Sequence, residues 1–184
     1  EKIQKNQRTI GSFYKREIFA GIKSGLDSAF VINEKMREEL IAKDSKSMDL
    51  IKPWLRGRDI KKWKADYKNL YVIYIPQNRI NIEEYPAIKN HLLKHKEGLE
   101  KRATKQDWFE MQQPQERFTK LFESSEKIIY GEIAKEMRAC FDGEKSYGTM
   151  KMFFIPYHPI ILGILNSKLF DWYSRNTFAT LGDP

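Results

Sequence analysis

The run Leu70-Tyr71-Val72-Ile73-Tyr74-Ile75, closed by Pro76, constrains the fold more than any other stretch of the chain. Its β-branched and aromatic side chains favour an extended, well-buried strand, and the proline ends the ladder. Similar runs span residues 127–134 and 150–155, and a shorter one, ending in Phe30-Val31-Ile32, spans 28–32. Helical patterns lie between them. Pro86 opens one that extends to about Arg102, with Ile88, Leu92 and Leu99 on one face. Pro159 opens another over 159–173, apolar enough to be buried on more than one face. Asn33 is a suitable N-cap for a polar helix from Glu34 to about Lys43, and Ser47 for a short turn over 48–52 that Pro53 stops. The pattern predicts an α+β fold: one mixed sheet of segments 28–32, 70–75, 127–134 and 150–155, packed by helices near 86–101 and 159–173.

The polar chemistry collects in three places. Gly21-Ile22-Lys23-Ser24-Gly25 is a glycine-turned loop before the first strand. Trp54-Leu55-Arg56-Gly57-Arg58-Asp59-Ile60-Lys61-Lys62-Trp63 sets two arginines astride a glycine, followed by two lysines. Guanidinium groups suit phosphates and the major-groove edge of guanine, so Arg56 or Arg58, held by Asp59, is a candidate base reader. Lys61 and Lys62 are candidate phosphate ligands. Glu144-Lys145-Ser146-Tyr147-Gly148-Thr149, after the Asp142-Gly143 turn, combines a cation, hydroxyls and an aromatic ring. Lys145, Ser146 and Tyr147 there, and Lys23 and Ser24 in the first loop, have the chemistry for phosphates and base edges. An ordinary polar hairpin explains the 143–149 stretch equally well. The pair Trp108-Phe109 fits base stacking or a place in the core. Lysine and arginine together number 33 against 25 aspartates and glutamates, a formal charge of +8 that favours an anionic partner.

Other classes of function find little support. Cys140 is the only cysteine, so no intrachain disulfide forms and a reducing compartment, the cytoplasm, is expected. No apolar run approaches the roughly 20 residues of a membrane span. His91 and His95 have a metal-binding spacing, but Leu92 stands where a zinc peptidase needs glutamate. Two solvated histidines are the expectation, and a metal-dependent nuclease built on them ranks last. Glu38-Glu39 and Glu83-Glu84 read as solvated charges rather than acid–base pairs. No Walker loop or Cys-x-x-Cys pair occurs.

The order of the segments resembles one family. The loop Gly21-Ile22-Lys23-Ser24-Gly25, Ala29-Phe30 with its apolar successors, and Leu55-Arg56-Gly57-Arg58-Asp59-Ile60 are similar to the TaqI-like specificity domain. Tyr85-Pro86-Ala87-Ile88, Trp108-Phe109-Glu110, Lys127-Ile128-Ile129-Tyr130, Phe141-Asp142 and Ile164-Leu165-Asn166-Ser167-Lys168-Leu169 continue the series over roughly residues 20–175. Glu126 replaces the family's proline before Lys127. Asp27 replaces an asparagine frequent in relatives, and its charge argues against a phosphate contact there.

The resemblance implies a DNA target-recognition domain of a type IIG restriction-modification enzyme or an adenine-specific DNA methyltransferase. It further implies residues 1–20 as a lead-in from a preceding domain and 21–184 as the recognition domain, truncated at its C-terminus. Duplex DNA and the methyltransferase domain of the parent chain would be its partners. S-adenosylmethionine and magnesium would belong to catalytic domains elsewhere, and this fragment is expected to be non-catalytic: the Asn/Asp-Pro-Pro-Tyr/Phe motif does not occur. The alternatives are half of a type I-like specificity subunit, or a protein-interaction domain with a basic surface.

Overall fold

The computed structural model describes residues 9–15, 17–131 and 136–177. The chain runs α1 (Ile10–Phe13), β1 (Phe19–Ala20), α2 (Asp27–Phe30), β2 (Val31–Asn33), α3 (Glu34–Lys43), α4 (Ser47–Leu50) and β3 (Ile51–Leu55). β4 (Trp63–Lys64), β5 (Leu70–Ile73), α5 (Pro86–Leu93), α6 (Lys96–Glu100) and α7 (Thr119–Phe122) follow. The last part holds β6 (Lys127–Gly131), β7 (Ala139–Asp142), β8 (Tyr147–Gly148), β9 (Met152–Pro156), α8 (Pro159–Asn166) and α9 (Lys168–Thr177).

The fold is α+β, with two mixed sheets in place of the single sheet expected. One has the order β2-β5-β3-β8, the other β1-β9-β6-β7-β4. β5 is antiparallel to both neighbours and has the central position its sequence predicts. The sheets exchange strands. β8, from late in the chain, edges the first sheet parallel to β3 through Trp54↔Tyr147 and Leu55↔Gly148. β4, from early in the chain, edges the second parallel to β7 through Trp63↔Cys140 and Lys64↔Phe141. One large core joins both sheets through Phe30, Leu55, Ile73, Leu92, Phe122, Tyr147 and Phe154. A smaller core beneath α8 gathers Ile128, Ala139, Ile155, Ile161, Leu162 and Leu165.

Several boundaries depart from the sequence reading for local reasons. Segment 28–32 is strand only from Val31. The Ser24 hydroxyl accepts the Leu26 N–H and donates to Asp27, rolling Asp27–Phe30 into one helical turn that buries Ala29 and Phe30. Asn33 caps α3 through Met36 N at 2.9 Å, as read. Lys46, not Ser47, is the N-cap of α4, and Pro53 lies inside β3, beyond the two-residue ladder to β8. The long helix from Pro86 breaks at Lys94-His95, which redirects Leu99 into the core. The helix from Pro159 breaks at Ser167 and leaves Ile160, Ile164, Leu169 and Trp172 exposed, so it is buried on one face only. The strand expected over 127–134 is β6 as far as Gly131; residues 132–135 lie outside the described set. Residues 19–20 of the expected lead-in pair with Phe153 and Phe154 of β9.

Candidate nucleic-acid interface

Beyond the buried end of β3, the chain makes a single tight turn over Gly57–Asp59. Asp59 is 3% exposed and organises that turn. Its carboxylate accepts the Arg56 backbone N–H at 3.1 Å, Nε at 2.7 Å and Nη2 at 2.9 Å. Burial pushes the Asp59 carboxyl up, but these hydrogen bonds and the Arg56 and Arg58 charges outweigh it and hold the group below its ordinary value. The Arg56 guanidinium is therefore oriented before any ligand arrives, with Nη1 unpartnered among the described residues. Arg58 is exposed and makes no ion pair among them. Lys61 is exposed, its ammonium on the Arg58 carbonyl at 3.1 Å. Lys62 is committed to Glu136 at 2.7 Å. Lys64 is exposed and makes no ion pair among the described residues.

The other predicted residues lie outside this turn. Lys23 pairs its backbone with Gln113, at 2.9 and 2.8 Å, and its side chain is half-buried. Ser24 is buried, its hydroxyl spent within the loop. Arg102, which sequence reasoning did not single out, fastens this loop. Its guanidinium donates to the carbonyls of Ser24 (2.8 Å), Glu110 (2.7 Å), Trp108 (2.7 Å) and Leu99 (2.8 Å). Glu110 in turn accepts the backbone N–H groups of Asn78 and Asp107. Trp108 and Phe109 pack on the core, the second of the two roles open to them.

Lys145 is exposed, with φ +56°. Ser146 and Tyr147 are corrected to structural roles because both are fully buried. Beneath the loop lies an ion pair with both side chains 0% exposed, Lys127–Asp142 at 2.6 Å. The Lys127 ammonium also donates to the carbonyls of Phe122 (2.6 Å) and Ser124 (2.8 Å). Asp142 accepts from Tyr67 Oη (2.8 Å), Ser146 N (3.0 Å) and Ser146 Oγ (2.8 Å). Burial raises the Asp142 carboxyl, yet Lys127 and these donors bring it below its ordinary value. The sequence signal was a lysine opening an otherwise apolar strand.

Strand pairing places the cationic positions. The 56–62 segment enters β4 at the Cys140 level of β7, and Lys145 lies beyond the Asp142 end of that strand. Ile22, next to Lys23, bridges Thr149, whose neighbour Gly148 pairs with Leu55, next to Arg56.

His91 is buried rather than solvated, with Nε2 3.0 Å from the Ala29 carbonyl oxygen, and burial lowers its pKa. No group of three His, Cys, Asp or Glu side chains among the described residues is arranged to hold a metal ion. No helix among them is long and apolar enough to cross a membrane.

Residues 52–183 match the TaqI-like C-terminal specificity domain, and the chain belongs to that family. Its fold is similar to that of the type IIL restriction-modification enzyme MmeI, solved in complex with DNA, with a TM-score of 0.63 and 16% sequence identity. The similarity covers 89% of this chain and 22% of MmeI, so the chain spans under a quarter of that enzyme's length.

Proposed function

We propose that this chain recognises the target sequence in duplex DNA for a restriction-modification enzyme and is not itself catalytic. The observation that carries this reading is the Arg56–Lys64 segment, a cluster of cations on a rigid turn in a member of a specificity-domain family. Arg56, oriented by Asp59, reads a base edge, and the fixed fork lowers the ordering cost of a bidentate contact. Arg58, Lys61, Lys64 and Lys145 neutralise phosphates. Lys62 joins them only where its pair with Glu136 opens. A methyltransferase domain of the parent chain closes on the other side of the DNA, and S-adenosylmethionine and magnesium belong to such catalytic domains.

The test is binding to mixed-sequence and target-containing duplexes across a salt series. A log–log plot should be linear, with slope about −0.9 for each phosphate neutralised. Lys61→Ala should weaken all sequences alike and reduce the slope by about 1, whereas Arg56→Lys should keep the slope and relax preference at one base position. Absence of salt-dependent binding, both alone and joined to the parent catalytic domains, would overturn the proposal.

A further inference from the structure

Ile60 and Ala65 form an antiparallel bridge, and Lys61 N donates to the Lys64 carbonyl at 3.1 Å. Residues 60–65 are therefore a small hairpin whose two turn residues are Lys62 and Trp63. Trp63 has φ +77°, in the left-handed region that L side chains rarely adopt. Glycine or asparagine is the ordinary occupant, because a Cβ is disfavoured there. Among the described non-glycine residues with positive φ, Trp63 is the bulkiest side chain; the others are lysines, asparagines and a glutamine. The strain is not compensated by burial, since Trp63 is 55% exposed. An indole at a glycine position, set out in solvent, costs stability without filling the core. A backbone outlier of this kind points to function when the surroundings hold it in place. Here the Ile60–Ala65 bridge and the β4–β7 ladder do so.

The flanking chemistry states what the ring meets. Lys61 and Lys64 on either side are exposed, and neither side chain makes an ion pair among the described residues. Arg58 adds a third free cation a few residues back. An exposed aromatic ring between free cations is the arrangement that binds a polyanion carrying stackable rings. An apolar protein surface would leave those charges unmatched.

We infer that Trp63 is a DNA contact that sets affinity rather than sequence choice: its indole enters a groove of the duplex and wedges into a base step, stacking on a base that it partly unstacks. Lys61 and Lys64 hold the phosphates on either side. This inference rests on the DNA-recognition reading and goes beyond it by assigning a stacking contact to a position that the charge pattern leaves unassigned.

The position offers an uncommon test, because removal of the side chain should spare the fold. Trp63→Gly relieves the strained φ, so the melting temperature should hold or rise. Binding should weaken by roughly ten- to a hundredfold, the scale of one lost base–aromatic stack. Trp63→Phe should retain most of the affinity. Quenching of tryptophan fluorescence on adding duplex should be smaller in Trp63→Phe than in the wild-type chain. A Trp63→Gly chain that binds like wild type would overturn the inference and leave the proposed function standing. So would one that binds DNA normally but no longer associates with the parent catalytic domains, since the ring would then be a protein contact. A large drop in melting temperature would make Trp63 structural and overturn it too. Failure of the wild-type chain to bind DNA, alone or joined to those domains, would remove the proposed function and this contact with it.

Discussion

Replacing Lys127 by methionine keeps the volume of the side chain and removes its charge. In the folded protein that ammonium has three acceptors, Asp142 and the carbonyls of Phe122 and Ser124. The variant leaves Asp142 buried with only Tyr67 and Ser146 as donors, and leaves two carbonyls without the donor they had. Removing one partner of a buried ion pair typically costs about 3–5 kcal/mol. For a chain of this size that is roughly 6–20 °C in melting temperature. Urea denaturation followed by far-UV circular dichroism measures it, with an unchanged m-value showing that the same surface unfolds. Lys127→Met combined with Asp142→Asn should recover part of the loss, because no uncompensated charge then remains inside. The half-exposed pair Lys52–Glu123, at 3.4 Å, is the comparison: Lys52→Ala should cost no more than about 1 kcal/mol. A Lys127→Met loss as small as that of Lys52→Ala would refute the view that the buried pair holds the loop before β8.

Arg102→Lys keeps a charge but cannot span the carbonyls of Ser24, Leu99, Trp108 and Glu110. It should cost at least about 2 kcal/mol and speed amide exchange at Met111 to Gln113; unchanged exchange there would contradict the role of Arg102 as a fastener. The Asp59 carboxyl is held below its ordinary value, so its stabilisation is present above the unfolded value of about 3.9 and is lost as pH falls through the folded value. Without the Arg56 side chain, only the backbone N–H of residue 56 and the Arg58 charge remain to oppose the upward push of burial. Arg56→Ala should therefore destabilise by about 1–3 kcal/mol at pH 7 and by less towards pH 3, and a pH-independent difference in denaturation would argue against the coupling. Burial first, and then the Asp142 charge, push the Cys140 thiol up to about 12. The native thiol should react with thiol reagents at least about a hundredfold more slowly than the denatured one, and rapid labelling of the folded chain would count against the buried site.

Much of the fold could be read from local pattern. The Leu70–Ile75 run, the Asn33 cap and the late strands each announce themselves through propensity and periodicity over a few neighbours. What pattern missed depends on distant partners. Pro53 was read only as the stop of a helical turn; it fits inside β3 because β8, from late in the chain, pairs with Trp54 and Leu55 alone. Ser24, Ser146 and Tyr147 carried the right groups for a ligand, but Asp27, Asp142 and core packing claim them in space. Arg102 gave no signal at all, because its acceptors are backbone carbonyls, which every residue has. Arg56 with Asp59 was legible, since both partners fall within one turn. The setting of Trp63 was not, because a positive φ leaves no mark on a sequence that lacks glycine at that position.

The exchange of β4 and β8 between the two sheets has a consequence for inheritance and synthesis. During translation the first sheet stays open beside β3 until residue 148 has left the ribosome, although β2, β3 and β5 are complete long before. A hybrid joined anywhere between residues 65 and 138 would place β3 and β4 from one parent against β8 and β7 from the other. Its backbone ladders would re-form, but Trp54, Tyr147 and Cys140 would meet unfamiliar neighbours. The region is thus exchanged between relatives most safely as a whole.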